Sequence, residues 1–269
     1  MSEKRRDTVI PGFVDGQTWA ACFGLSFTEL MMYDQAISRR IIHPGAEFSY
    51  LRKVAGTMGV AAGRNELCRA FLATRADWLF MVDTDMGFEP NIIDRLVDSA
   101  TANGVDIIGA LAFCQKQDPD LAQDVMHANR YRIQPTLYRF LEVEGTGEKG
   151  FQVITRYRRD GFQVVGATGA ACLLISRAAL EAVGPDPFDP IKVAGAGGNG
   201  TDRQFSEDLS FCIRASAAGL DIGVDTAVKT THYKGGVFLD ETTFAMQQET
   251  LIQAAGHQVA RQAEVAMNG

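Results

Sequence analysis

The sequence predicts an α/β fold with a mainly parallel central sheet flanked by helices, and three observations lead to it. Short apolar runs alternate with segments whose apolar residues recur at helical spacing through the first half of the chain. The run Trp78–Val82 is apolar throughout, as central parallel strands are. No repeat or linker divides the 269 residues convincingly, so one domain with right-handed crossovers accounts for the pattern.

The composition is that of an ordinary globular protein. Hydrophobic residues make up 46% and charged residues 22% of the chain, which supplies ample material for a core. No apolar run reaches the roughly 18–20 uncharged residues of a membrane helix, and no apolar signal core follows the charged Met1–Asp7. The five cysteines lie singly in apolar stretches. We therefore expect a cytoplasmic protein with reduced, buried thiols, in the host cytoplasm if the chain is viral.

The first elements are expected as follows. Residues 1–17 are assigned to an N-terminal tail. The apolar run Trp19–Leu25 is interpreted as the first strand, and Ser26–Glu29 matches a capping box that opens a helix to about Arg40. A weaker strand is expected at Phe48–Val54.

Stronger patterns follow. Helical spacing predicts a helix over Ala61–Ala73, the apolar run Trp78–Val82 predicts a buried strand, and a second helix begins near Pro90. Another buried strand is expected at Val105–Phe113.

The second half changes character. Residues 115–134 are polar and irregular, and Leu137–Val143 with Phe151–Tyr157 are expected to form a hairpin. A long strand is predicted at Val164–Ser176, followed by a short helix that ends at Gly184. A loop is predicted at 185–205. The helix after it has an apolar stripe at Leu209, Cys212 and Ile213 and ends at the cap residue Gly219. A strand at Ile222–Thr230 and a polar helix in 240–267 complete the prediction. That last helix packs on the core or forms a dimer contact, so a monomer and a homodimer both stay open.

Asp83-Thr84-Asp85 is the sharpest chemical feature. The carboxylate pair follows a buried strand directly, at the edge where open α/β sheets place ligands. Two carboxylates one residue apart can share a hard divalent ion that also holds phosphate oxygens. An exposed acidic turn is the alternative interpretation.

Four further residues are candidates for the same site, each with a structural alternative. Arg64 opens the preceding helix and could contact a diphosphate, or form a surface salt bridge. Glu207 and Asp208 lie in the first turn of a later helix, where they face a cleft or stabilise the helix N-terminus. His232 ends a strand, and a lone histidine is often structural.

In order along the chain, these motifs resemble glycosyltransferases with the GT-A fold, closest to family-2-like enzymes that include bacteriophage members. The motifs that carry the resemblance are Arg64-Asn65, Asp77–Asp85, Gly166–Arg177, Ser206–Leu209 with Gly219, and His232. The resemblance implies one catalytic domain over 18–236, with a donor-binding half (18–113) and an acceptor half (114–236) that contains a small antiparallel portion. A C-terminal helix at 237–269 follows.

The resemblance also implies metal-dependent transfer of a sugar from a UDP- or GDP-sugar to an acceptor hydroxyl. Asp85 and His232 would coordinate Mn²⁺ or Mg²⁺ bound to the donor diphosphate, and Asp83 would hold the ribose or support the metal through water. Thr84 completes the donor motif, and Arg64 would contact the nucleotide or pyrophosphate.

Asp208 would be the base that deprotonates the acceptor if the enzyme inverts configuration, and would orient the acceptor if it retains configuration. Two departures from the family pattern bear on this interpretation. The expected first strand lacks the proline-containing opening common in the family, and residues 115–134 are long.

Other functions are weighed against the transferase. A nucleotidyltransferase would ordinarily need a Gly-rich basic segment, which residues 18–30 lack; a non-catalytic nucleotide- or carbohydrate-binding module is the third candidate. The acceptor stays open between a protein, a glycan and a modified DNA base. The net charge of −7 disfavours DNA, although the basic cluster Arg156–Arg159 keeps it possible.

Gly195–Gly200 satisfies the G-x-G-x-x-G spacing of dinucleotide-binding turns. A long apolar strand does not precede it and a helix does not open from it, so a flexible loop is the better interpretation. Its position just before Glu207 makes residues 190–204 a candidate lid over the donor.

Overall fold

The protein is represented by a computed structural model that describes residues 6–42, 50–54, 59–117, 131–142, 144 and 148–253. In chain order the elements are β1 (Val9–Asp15), α1 (Ala21–Tyr33), β2 (Leu51–Val54), α2 (Gly59–Leu72), β3 (Trp78–Val82), β4 (Met86–Phe88), α3 (Ile92–Asn103), β5 (Ile107–Leu111), β6 (Phe113–Gln117), β7 (Tyr131–Pro135), β8 (Leu137–Glu142), β9 (Lys149–Val153), β10 (Phe162–Val165), β11 (Ala167–Thr168), β12 (Cys172–Ser176), α4 (Arg177–Val183), β13 (Lys192–Val193), β14 (Arg203–Gln204), α5 (Glu207–Ala217), β15 (Ile222–Lys234) and β16 (Val237–Leu239). A further helix covers residues 241–253.

A mixed, mostly parallel sheet organises the chain, as predicted. Its strands follow the order β10-β15-β5-β12-β3-β1-β2, and β4 and β16 both pair with the last part of β15. The pairs β1–β2, β1–β3 and β5–β15 are parallel, whereas β12 runs antiparallel between β3 and β5. Short antiparallel pairs (β6–β7, β8–β9 and β13–β14) lie outside this sheet.

The strand β3 shows how the sheet is buried on both faces. Leu79 and Met81 point to a core shared with α2, α4 and α5, whereas Trp78, Phe80 and Val82 point to a core shared with α1 and α3. Successive side chains of a strand alternate between faces, so a strand covered by helices on both sides must be apolar throughout. The continuous run in the sequence follows from this position.

Several predicted elements are confirmed. The structure has helices at α2, α3, α4 and α5, strands at β2, β3, β5 and β15, and the β8–β9 hairpin close to their expected positions. The predicted loop at 185–205 carries the small β13–β14 pair. Residues 118–130, and the part of the predicted C-terminal helix beyond residue 253, lie outside the described residues.

The expected first strand is wrong. Trp19–Leu25 enters helix α1, with Trp19 42% and Leu25 63% exposed, whereas Phe23, Phe27 and Leu30 are buried at helical spacing. The Ser26–Glu29 capping box is also wrong, because the helix begins earlier, at Ala21, and Ser26 lies inside it. The Ser26 hydroxyl instead accepts a hydrogen bond of 3.0 Å from the Phe88 amide.

The first strand lies within the segment assigned to a tail. Strand β1 forms parallel ladders with β2 and β3, and Ile10 and Phe13 are fully buried. Only the first part of residues 1–17 can therefore be a tail. Pro11 lies in this strand, whereas the segment expected to form the first strand contains no proline.

The long strand expected at Val164–Ser176 is also wrong, because the segment divides into β10, β11 and β12, which pair in different places. Gly166 explains the first break. Its amide donates to the Tyr138 carbonyl at 2.7 Å, and a Cβ at this position would lie 2.7 Å from the Phe140 amide nitrogen. The backbones of the two segments approach too closely for a side chain, so the chain turns here.

Within the described residues, no helix is both long and apolar enough to cross a bilayer.

Candidate active site

The turn Asp83-Thr84-Asp85 lies at the carboxyl end of β3, held by backbone hydrogen bonds from three sides. The Asp83 amide donates to Ala171 at 2.9 Å, the Ala20 amide donates to the Thr84 carbonyl at 2.9 Å, and the Met86 amide closes the turn onto Asp83 at 3.2 Å. The three side chains of the turn are partly exposed. The sheet thus fixes the turn while leaving its carboxylates accessible.

Asp85 and His232 meet because β4 pairs with β15. The Tyr233 amide donates to the Asp85 carbonyl at 2.8 Å, and His232 lies opposite Met86 in the ladder. This pairing places His232 Nε2 3.2 Å from Asp85 Oδ1. Both atoms are buried, and neither has a hydrogen-bond partner of good geometry. We call these two atoms the orphaned pair.

The other nitrogen of His232 determines what this orphaned pair can do. Nδ1 lies 2.8 Å from the Phe113 carbonyl oxygen, which can only accept, so Nδ1 carries the proton. In the neutral ring, Nε2 then directs a lone pair at a carboxylate oxygen. A proton on Nε2 or a metal ion between the two atoms removes this repulsion, and metal-bound histidines commonly donate their second nitrogen to a carbonyl in this way.

The separation also fits a metal ion. Two neighbouring ligands of an octahedral ion with bonds of about 2.1 Å lie roughly 3 Å apart, close to the observed 3.2 Å. In the described part of the chain no three His, Cys, Asp or Glu side chains gather into a metal-binding group. The described residues therefore place two candidate metal ligands here, Asp85 and His232.

Lys234 is a member of this site that the sequence interpretation missed. Its Nζ lies 2.5 Å from Asp85 Oδ2, on the oxygen that His232 does not face. Burial raises the pKa of Asp85, but the positive charges of a protonated His232 and of Lys234 outweigh burial and hold that pKa below its ordinary value of 3.8. Residues 232 and 234 share one face of a strand, so period-two spacing from His232 was the available clue.

Arg64 is buried and holds two carboxylates. Its guanidinium lies 2.9 Å from Asp83 and 2.8 Å from Glu207, with 5% of the side chain exposed. Burial lowers the pKa of Arg64, but Asp83 and Glu207 outweigh it and keep that pKa above its ordinary range. The surface salt bridge considered for Arg64 is wrong, since the residue is buried. Its contact with a donor stays a prediction.

Asp208 stands next to this bridge, in the first turn of α5. Its Oδ1 accepts hydrogen bonds from the Leu209 amide at 2.8 Å and from the Ser206 hydroxyl. Among the described residues no hydrogen bond or ion pair joins Asp208 to Asp85 or His232. The side chain is partly exposed, and its charge acts on Arg64 and Tyr138.

The loop before α5 is attached to the same helix as Arg64. The side-chain nitrogen of Asn65 donates to the Asp189 carboxylate at 2.7 Å, and its side-chain oxygen accepts from the Phe188 backbone amide at 2.8 Å. Lys192 pairs with Asp202 at 2.9 Å across the β13–β14 pair. One end of the segment 190–204 is thus fixed, and its role as a lid stays a prediction.

The basic cluster Arg156–Arg159 forms an exposed turn. Its charge is partly offset by Glu241, which lies 3.7 Å from Arg159 and 2.7 Å from Lys229, and accepts from the Tyr157 hydroxyl at 3.2 Å. Nothing in this geometry favours a DNA acceptor.

The five cysteines are free thiols. Burial raises the pKa of Cys68 and of Cys212 to about 12, so these thiols stay protonated at neutral pH. Cys68, Cys172 and Cys212 are buried as expected, whereas Cys22 and Cys114 are only partly buried.

Comparison with known proteins identifies the family. The profile described as "Glycosyltransferase like family 2" matches residues 35–251, and the chain belongs to this family. No curated protein sequence matches significantly.

The solved structures of similar fold include A197 from STIV and GalNAc-T7. A197 from STIV superposes with a TM-score of 0.52 at 14% identity, over 87% of this chain and 90% of that chain. GalNAc-T7, crystallised with UDP, GalNAc and Mn²⁺, gives a TM-score of 0.51 at 12% identity, over 87% of this chain and 45% of that chain. The chain thus spans less than half of GalNAc-T7, and the likeness establishes the GT-A fold.

Proposed function

We propose that this protein transfers a sugar, a hexose or a pentose, from a UDP- or GDP-sugar to an acceptor hydroxyl with the help of a divalent metal. The orphaned pair Asp85 Oδ1 and His232 Nε2, 3.2 Å apart and buried, carries the proposal. A mixed oxygen and nitrogen pair suits Mn²⁺ better than Mg²⁺, which prefers oxygen ligands. The similar GalNAc-T7 structure contains UDP and Mn²⁺, which supports the choice of nucleotide and metal.

Each residue of the proposed site has a role that follows from its position. Asp85 and His232 would hold the metal, which when bound supplies positive charge to the departing diphosphate. Asp83 would bind the ribose or a water on the metal, with Arg64 fixing its orientation through the 2.9 Å ion pair. The backbone of Thr84 keeps the turn in place.

Asp208 is the proposed base for an inverting reaction. Its Oδ1 accepts hydrogen bonds at the N-terminus of α5, from the Leu209 amide and the Ser206 hydroxyl, whereas Oδ2 has no hydrogen bond to another described residue. Oδ2 can therefore accept a proton from an acceptor hydroxyl. In a retaining reaction the same oxygen would orient the acceptor.

Calorimetry with UDP and GDP, each with and without Mn²⁺, tests the proposal directly. We expect one nucleotide to bind much more tightly with Mn²⁺, and Asp85→Asn and His232→Ala each to weaken that binding by at least about tenfold. Donor hydrolysis should fall with the binding, and chelation of the metal should reproduce the loss in the wild-type chain.

Asp98→Asn is the matched control, because Asp98 is an exposed carboxylate on α3 that pairs with Arg40. It should bind nucleotide and metal like the wild type. Wild-type turnover in Asp85→Asn or His232→Ala would show that the site is assigned incorrectly.

A further inference from the structure

Lys234 forms an ion pair with the Asp85 carboxylate from the solvent side. It is the last residue of β15, and the turn that follows uses Gly235 and Gly236, both with positive φ, before β16 pairs back. The Nζ atom lies 2.5 Å from Asp85 Oδ2, while 46% of the side chain is exposed. The ammonium therefore sits at the mouth of the proposed metal site with a free path to solvent.

The single negative charge of Asp85 cannot neutralise both the Lys234 ammonium and a divalent ion. Asp85 supplies one negative charge, with Oδ1 toward His232 and Oδ2 toward Lys234. A divalent ion on Oδ1 and His232 would stand a few ångströms from the ammonium on the same carboxylate. Like charges at that distance repel strongly in a partly buried site, so metal and ammonium compete unless another anion arrives.

A nucleoside diphosphate is an anion of the required kind. It brings phosphate oxygens to the metal and can also receive an ammonium group. The Lys side chain is a flexible four-carbon stem with a rotatable point charge, so Nζ can move from Asp85 to a phosphate without a change in the backbone.

We propose that Lys234 is a tethered counter-ion: it neutralises Asp85 while the site is free of donor, and it transfers to the donor diphosphate when metal and donor bind together. This inference rests on the proposed function. As a consequence, metal binding and nucleotide binding favour each other. The nucleotide draws the ammonium away from the metal, and the metal releases the ammonium from Asp85 to the diphosphate. Such coupling is reciprocal by thermodynamic necessity.

Lys234→Met tests the proposal, because it keeps the stem and removes the charge. Mn²⁺ affinity without nucleotide is measured by calorimetry, and UDP or GDP affinity is measured at saturating Mn²⁺. We expect Mn²⁺ alone to bind about tenfold more tightly, because its competitor is gone, and the nucleotide to bind about tenfold more weakly. Lys234→Arg should restore most of the nucleotide affinity.

Lys229→Met is the control. Lys229 lies on the same strand, is also 46% exposed, and pairs with Asp160 and Glu241 away from Asp85, so neither affinity should change. A purely structural role for Lys234 would weaken both affinities of Lys234→Met.

That result, or an unchanged Mn²⁺ affinity in Lys234→Met, overturns this inference and leaves the proposed function intact. If the wild-type chain binds neither UDP nor GDP with Mn²⁺, the proposed function fails, and the inference fails with it.

Discussion

A single buried guanidinium joins two carboxylates that are far apart in the chain. Arg64 connects Asp83, at the end of β3, to Glu207, at the start of α5. Both carboxylates keep about a quarter of their side chains exposed, at 29% and 27%, while Arg64 is almost fully enclosed. The bridge sets the position of the Asp83–Asp85 turn relative to the helix that carries Asp208.

Removal of this charge should be costly. In Arg64→Met, Asp83 and Glu207 lose their common partner and repel each other, so we expect the free energy of unfolding to fall by about 2–3 kcal/mol. Urea denaturation with linear extrapolation measures the change. Arg69→Met is the control on the same helix, because its side chain is 57% exposed, and it should cost no more than about 0.5 kcal/mol. Equal losses in the two variants would contradict the structural role of Arg64.

The sequence could indicate which residues meet at the site but not which atoms face one another. Asp83, Asp85 and His232 were identified from strand ends and from the resemblance to the family. Glu207 and Asp208 are neighbours in one helical turn, where successive side chains point about 100° apart, so which of the two meets Arg64 depends on how α5 packs. Lys234 could have been found by strand periodicity.

At the scale of elements, one glycine separates strands that the apolar pattern had joined. Residues 164–176 are rich in Val, Ala, Leu and Ile, and a local pattern of that kind cannot show where a strand changes its partner. The change is caused by the close approach of Gly166 to the backbone of β8. It directs β11 to β8 and β12 to the central sheet.

Gly166→Ala should therefore destabilise the protein by about 1–3 kcal/mol, since the added methyl group would meet backbone atoms that cannot move aside. Thermal and urea unfolding measure the effect. Gly24→Ala is the contrasting variant, because Gly24 lies within α1 and its added Cβ would meet open space. That substitution should raise the free energy of unfolding by about 0.5–1 kcal/mol. A stable Gly166→Ala variant would show that β8 and the Gly166 turn can separate at little cost.

Over the whole molecule, β1 is the element on which sequence and structure differ most. Its segment contains Pro11 and Gly12, residues that ordinarily argue against a central strand, and it lies close to a charged N-terminus. The structure nevertheless places it between β2 and β3. The periodic helices and the apolar strands were predictable because each shows a local pattern, whereas the position of β1 depends on its neighbours in the sheet.

Ile10→Ala distinguishes a core strand from a tail. Ile10 is fully buried in β1, and its truncation should lower the free energy of unfolding by about 3 kcal/mol because a cavity remains. Val164→Ala, at a 56% exposed position of the edge strand β10, should change it by about 0.5 kcal/mol or less. Chemical denaturation followed by circular dichroism measures both. If Ile10→Ala lowers the free energy of unfolding no more than Val164→Ala does, this segment is a tail and not a core strand.

The antiparallel strand β12 has a consequence for how the molecule can be divided. It comes from the later half of the chain, yet it lies between β3 and β5 of the earlier half. Neither half can be lifted out as an independent building block, because residues 18–113 alone would leave a gap in the middle of the sheet. Exchange of segments of the later half between relatives therefore has to be made at surface loops, with the interleaved strand retained.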